Sequence, residues 1–219
     1  MPLKAVLFDM DGVIVDTEPL HRKAYYKVFD DLKIDVKDDL YSTFTGLSTK
    51  SVCEKLIAHF ELNTSWERIA EQKRKYFKHY FDTDPEFDLI DGVKDLILHY
   101  HQHQVKLVLA SSAHRNTINW VFEKFGLEPY FMDKISGADL KESKPNPEIF
   151  EIAAQLANEP KENCMVIEDS TNGIRAANGA HIFCAAYASE HSENQDYSTA
   201  NILVKDFKEL ELDKITHWF

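Results

Sequence analysis

The segment KAVLF, residues 4–8, is apolar without alternation, so a strand formed there needs cover on both faces. Similar runs recur at Val105–Ala110 (VKLVLA), Cys164–Ile167 (CMVI), Ile182–Ala186 (IFCAA) and, more weakly, Asn201–Val204. Helical patterns lie between them at Asp91–His103, Arg115–Phe125, Pro147–Leu156 and Asn172–Asn178. Strands alternating with helices predict an α/β fold, a doubly wound parallel sheet, with ligands at the carboxyl ends of its strands. Residues 16–88 break that rhythm. They show no clear strand but three or four amphipathic helices, such as Ser51–Phe60 and Trp66–Tyr80, broken at Gly46, Asn63 and near Pro85. The expected organisation is a core of residues 1–15 and 89–219 carrying an inserted all-helical domain at 16–88.

Each core strand ends in polar groups. The first runs into Asp9 and Asp11 with Gly12 behind them, VKLVLA into Ser111 and Ser112, and CMVI into Glu168 and Asp169. Lys144 lies in SKPNPEIF, where Pro145 and Pro147 favour an extended turn ahead of a helix. Taken singly, a DG pair is a turn, a Ser-Ser pair a helix cap, and an ED pair a complement to a helix dipole. Together, four carboxylates at adjacent strand ends repel strongly unless a hard cation joins them. Magnesium suits such oxygen donors, since it keeps waters and substrate phosphate in its shell.

Composition narrows the partners. A formal net charge of −12 argues against nucleic acid and against an anionic membrane surface. Cys53, Cys164 and Cys184 lie far apart and read as reduced thiols of a cytoplasmic protein. The apolar opening is too short for a membrane span and lacks the layout of a signal peptide. A monomer is the expected state.

DMDGVIVDTE, LASSA, KPNPEIF and IEDSTNG, in that order, resemble the four motifs of the haloacid dehalogenase superfamily. The resemblance covers essentially the whole chain. Within that superfamily it points to a Rossmann-like core with a helical cap, in the branch of sugar-phosphate phosphatases and β-phosphoglucomutases. It implies a small phosphorylated metabolite as substrate, Mg2+ as cofactor, Asp9 as nucleophile and Asp11 as general acid and base. It further implies metal donors from Asp9, the Asp11 carbonyl and Asp169, with Glu168 acting through water. Ser111, the Ser112 amide and Lys144 would hold the phosphoryl oxygens, and Gly12–Thr17 would be a flexible hinge.

Mutases of this branch grip a second phosphate with an arginine in a cap loop. Here the loop reads TGLSTKSV: Gly46, Leu47 and Ser48 match, but Thr49 stands in the arginine's place with Lys50 beside it. A lysine lacks the arginine's forked grip. That favours a phosphatase, with a β-phosphoglucomutase-type phosphotransferase as the alternative. A catalytically silent binding module would normally lack a reacting group, and none is missing. Dehalogenation needs neither Asp11 nor the Glu168–Asp169 pair. Thr17, His21, Tyr25, Leu47, Ser48 and Lys50 are the expected substrate liners. His99, His101 and His103 read as a helix terminus rather than a metal site, and Tyr76, Phe77, Tyr80 and Phe81 as helical core. Trp218 and Phe219 are expected to pack the last helix down. No GxxxxGK loop occurs.

Overall fold

A computed structural model describes residues 2–44, 47–188 and 195–219 of the chain. It divides into two compact units, one formed by Met1–Asp16 with Asp88–Phe219 and the other by Thr17–Phe87. Gly46, expected to break the inserted helices and to align with the mutase loop, lies outside the described residues.

The first unit is built on a six-stranded, all-parallel sheet in the order β3-β2-β1-β4-β5-β6. Its strands are β1 (Ala5–Phe8), β2 (Lys106–Ser111), β3 (Asp133–Ser136), β4 (Cys164–Glu168), β5 (Phe183–Tyr187) and β6 (Ile202–Val204). The doubly wound fold expected from the unalternating runs is present. β3 was not among the expected strands: only Ile135 and Ser136 of its four residues are buried, so an edge strand leaves little apolar signal. The sheet unit's longer helices are α5 (Val93–Gln102), α6 (Arg115–Phe125), α7 (Glu148–Ala157) and α8 (Thr171–Gly179).

Side chains of β1 divide between two layers, as a period of two requires. Ala5 and Leu7 pack with Val108, Val166 and the buried faces of α7 and α8. Phe8 points the other way, its ring 6.4 Å from Tyr100 of α5 and 5.7 Å from Phe131. Both faces of the strand are therefore covered, which is why it carries no polar alternation.

The segment after β1 is a packed turn. Val13, Ile14 and Val15 are fully buried. The Met10 carbonyl accepts from the amides of Val13, Ile14 and Val15, and Gly12 N donates to Val15 O. The boundary between the units falls between Asp16 and Thr17, at the end of the expected Gly12–Thr17 hinge, and between Phe87 and Asp88.

The second unit is helical: α1 (Glu18–Leu32), α2 (Asp38–Ser42), α3 (Thr49–Phe60) and α4 (Trp66–Thr83). One core joins Tyr25, Phe29, Tyr41, Phe44, Val52 and Leu56, and another joins Val28, Cys53, Ile69 and Ala70. Phe77 and Phe81 are buried on the same stripe of α4, as their spacing predicts. Among the described residues, no helix is long and apolar enough to cross a membrane.

The three cysteines are free and buried. His99 Nε2 accepts from Leu212 N at 3.2 Å and His103 Nδ1 lies 2.8 Å from the His99 carbonyl, so this pair ties down a helix end. The rings of Trp218 and Phe219 stand 5.8 and 5.0 Å from Phe183. They pack a closing 3-10 turn, Thr216–Trp218, onto β5.

Candidate active site

Parallel pairing aligns the strand ends. Phe8 pairs with Leu109 on one side and Ile167 on the other, so Asp9, Ala110 and Glu168 follow at one level. The order of the sheet reverses at β1, and the crevice beyond such a reversal is where open α/β sheets bind ligands. Asp9 N donates to Ile167 O at 3.0 Å, which continues the ladder one residue past β1 and fixes where the carboxylate leaves the sheet.

Lys144 ties the three strand ends together. Its Nζ donates to Asp9 Oδ1 at 2.5 Å, to the Ala110 carbonyl at 2.8 Å and to Glu168 Oε1 at 2.8 Å. The ammonium also lies 4.8 Å from the centre of the Phe150 ring, the first turn of α7 supplying that floor. Its side chain is 5% exposed. Burial works against its charge, but Asp9 and Glu168 outweigh burial and raise its pKa.

Two glycines make room for the acids. Gly12 has a φ of +82°, and a Cβ there would lie 2.0 Å from Asp169 Oδ2. The Asp169 carboxylate therefore rests directly on the turn that carries Asp11. At Gly173, a Cβ would lie 1.7 Å from Glu168 Oε1. Glu168 Oε2 accepts from both the amide and the hydroxyl of Ser170, at 2.8 and 2.9 Å. Both oxygens of Glu168 are thus committed to protein donors. Ser170 Oγ in turn caps α8 by accepting from Gly173 N at 3.1 Å.

Asp9 is strained electrostatically. Burial raises its pKa most; Lys144 pulls it down, and Glu168 and Asp169 push it up again, leaving it well above the ordinary carboxylate value. Asp9 thus sits between the Lys144 ammonium and two repelling carboxylates, Glu168 and Asp169. Among the described residues, no three His, Cys, Asp or Glu side chains form a ready metal cage. Magnesium needs no such cage, because one or two carboxylates suffice when water and phosphate fill the remaining positions. The Asp9 and Asp169 carboxylates with the Asp11 carbonyl are hard oxygen donors and fit that requirement.

Ser111 is buried and its Oγ accepts from Ala113 N at 3.0 Å. Ser136 Oγ donates to Ala113 O at 2.7 Å and pins the same loop. Ser112 is exposed beside them. The sheet unit therefore brings together Asp9, Glu168, Asp169 and Lys144, with Asp11 on the turn after β1 and Ser111 at the end of β2.

A model of the haloacid dehalogenase-like hydrolases matches residues 6–187, which spans every group just described. The chain belongs to this family. A phosphorylated carbohydrates phosphatase from Thermotoga maritima is 31% identical over 184 residues, 82% of each chain. A β-phosphoglucomutase from Bacillus subtilis is 27% identical over 96% of this chain and 93% of its own. The crystal structure of CbbY from Rhodobacter sphaeroides in complex with phosphate has a TM-score of 0.82 and 26% identity, covering 95% and 96% of the two chains. Membership makes this chain an enzyme of the hydrolase class.

The helical unit holds a cavity of about 90 Å³. Of the expected liners, His21, Tyr25 and Leu47 face it, while Thr17, Ser48 and Lys50 are not among its lining residues. Ser48 is the N-cap of α3, its Oγ accepting from Ser51 N at 3.1 Å. Lys50 turns toward Glu54 and the Trp66 ring, with Nζ 5.4 Å from the ring centre. Lys73 lines the cavity instead; it is 4% exposed and its Nζ lies 2.7 Å from His21 Nδ1. Glu18 and Tyr41 complete the polar wall. The sequence signal for Lys73 was a lone charge on the apolar stripe of Ile69, Ala70, Phe77 and Phe81.

Proposed function

We propose that this protein is a magnesium-dependent phosphatase that hydrolyses a small phosphorylated metabolite, a sugar phosphate, through an aspartyl-phosphate. The observation that carries the reading is the Lys144 bridge, which holds a buried, destabilised Asp9 carboxylate at the carboxyl end of the central strand. The phosphatase from Thermotoga maritima supports the same chemistry and a carbohydrate ester as substrate.

Asp9 attacks phosphorus, a bond forms from its carboxylate oxygen, and the ester oxygen leaves with a proton from Asp11. Asp11, now a carboxylate, takes a proton from water as that water attacks the acyl phosphate, releasing inorganic phosphate and restoring Asp9. Lys144 and the Ser111 loop neutralise and orient the phosphoryl oxygens, which is most of what phosphoryl transfer requires. Glu168, with both oxygens occupied, holds Lys144 in place. Asp9, Asp169 and the Asp11 carbonyl would hold magnesium. When bound, the cation offsets the acids' mutual repulsion and the charge on the transferring phosphoryl group. The helical unit acts as the substrate-selecting cap.

The test is hydrolysis of a panel of phosphorylated metabolites with and without magnesium. Phosphate release that needs magnesium and falls by about a thousandfold or more in Asp9→Asn supports the reading. Asp9→Asn with full activity would sink it. Conversion of β-glucose 1-phosphate to the 6-phosphate, given a bisphosphate primer, would replace hydrolysis with the mutase reading.

A further inference from the structure

We propose that Ser136, together with the Arg115–Asp139 ion pair, is a positioning residue for phosphoryl transfer: from β3 it sets the direction in which Ser111 offers its hydroxyl hydrogen. The proposal rests on the phosphatase reading and adds to it a residue that lies outside the four motifs. Residues 111–115 leave β2 as a short loop and enter α6. A phosphoryl site built on such a loop is only as precise as the contacts that pin it.

Just before the loop, Lys144 Nζ donates to the Ala110 carbonyl at 2.8 Å. Two residues past Ser111, Ala113 is held at both of its backbone groups. Its N–H donates to Ser111 Oγ at 3.0 Å, and its carbonyl accepts from Ser136 Oγ at 2.7 Å. A serine hydroxyl has two lone pairs and one hydrogen. The Ala113 amide takes a lone pair, so the hydrogen of Ser111 is the part left to give. Its bearing follows from where Ala113 lies.

Ser136 is fully buried, and in the β2–β3 register it stands opposite Ser111. Gly137 lets the two segments close, since a Cβ there would lie 3.2 Å from Ser112 Cα and 3.4 Å from the Ser111 carbonyl oxygen. Beyond it, Asp139 Oδ2 accepts from Arg115 Nε at 2.9 Å and pairs with Nη2 at 2.8 Å. Both side chains are about half exposed, so the pair contributes little stability. Its effect is geometric: it ties the first residue of α6 to the turn after β3. A buried serine needs only one acceptor. Here a hydroxyl bond, a glycine contact and an ion pair from one strand end all meet the same five residues. Transfer depends on donors that already point where charge develops. Without the Ser136 hydroxyl, the Ala113 carbonyl loses its donor and the loop is free to turn, carrying Ser111 with it.

The test is a double-mutant cycle of wild type, Ser136→Ala, Ser111→Ala and the pair, in magnesium buffer. The reporter is p-nitrophenyl phosphate, or the best ester of the metabolite panel, and both kcat/KM and the inhibition constant of inorganic phosphate are read. Ser136→Ala lowers kcat/KM by about tenfold and raises the phosphate constant by about threefold or more. In the Ser111→Ala background the same change costs about twofold or less, because the hydroxyl through which Ser136 acts is gone. A merely structural role takes the same factor in both backgrounds. Equal factors, or an unchanged kcat/KM and phosphate constant in Ser136→Ala, overturn the inference while the phosphatase reading stands. Where Ser136→Ala does not fold, Asp139→Asn runs the same cycle from the surface. A fall of about threefold that vanishes with Ser111→Ala then supports the inference, and a fall that persists there, or none, overturns it. A wild type that turns over no phosphate ester removes the phosphatase reading and this inference with it.

Discussion

Gly173 lies inside α8, where alanine would ordinarily stabilise by about 0.5–1 kcal/mol. Here the sign reverses, because the missing side chain is the space Glu168 occupies. Gly173→Ala should lower stability in denaturant unfolding and lower kcat, since Glu168 cannot move without releasing Lys144. An unchanged or raised midpoint would mean Glu168 is not held where it stands. His21 gives a second residue-scale prediction. The imidazole titrates near 6.5 unfolded and near 3 folded. Stability belonging to the neutral ring is complete above pH 6.5 and declines as pH falls toward 3, by about 1.4 kcal/mol per pH unit at most. His21→Gln, which cannot titrate, should show a shallower loss across that window when unfolding free energy is measured at successive pH values.

At the scale of elements, α8 does two jobs with one serine. Ser170→Ala removes the helix cap and one of the donors to Glu168, for a loss of about 1–2 kcal/mol by chemical denaturation. The β1, β2 and β4 ends were legible in sequence because unalternating apolar runs stop abruptly at acids and hydroxyls. The helical unit was less so. Lys50 reads as a substrate ligand because it adjoins the loop; on α3 it is rotated off the cavity side that Thr49 and Val52 share at i, i+3. Lys73 sits far along the chain among apolar residues, and only the packing of α1 against α4 brings it to His21. Local pattern carries information about which face is buried, not about which buried side chain meets another.

For the whole molecule, the sheet unit concentrates acid in a chain that is already at −12. With the Asp9, Glu168 and Asp169 carboxylates gathered at the strand ends and Lys144 bridging the first two, a cation that binds only the folded protein should stabilise it by mass action. Magnesium at about a hundred times its Kd should raise Tm by about 5–10 °C over the protein in EDTA. Asp169→Asn should abolish most of that shift in a thermal melt. If the shift persists in Asp169→Asn, the cation binds elsewhere.

The central place of β1 has a consequence for how the chain acquires its structure. Phe8 is synthesised early but finds its neighbours only when Leu109, and later Ile167, have been made. During elongation the strand leading to Asp9 has two unpaired backbone edges and uncovered apolar faces, while the helical insert can already mature from local contacts. Pairing over such separations is slow because loop closure must precede its reward. The strand leading to Asp9 is therefore an exposed aggregation hazard of the nascent chain, and the one that waits through the longest stretch of synthesis for both its partners.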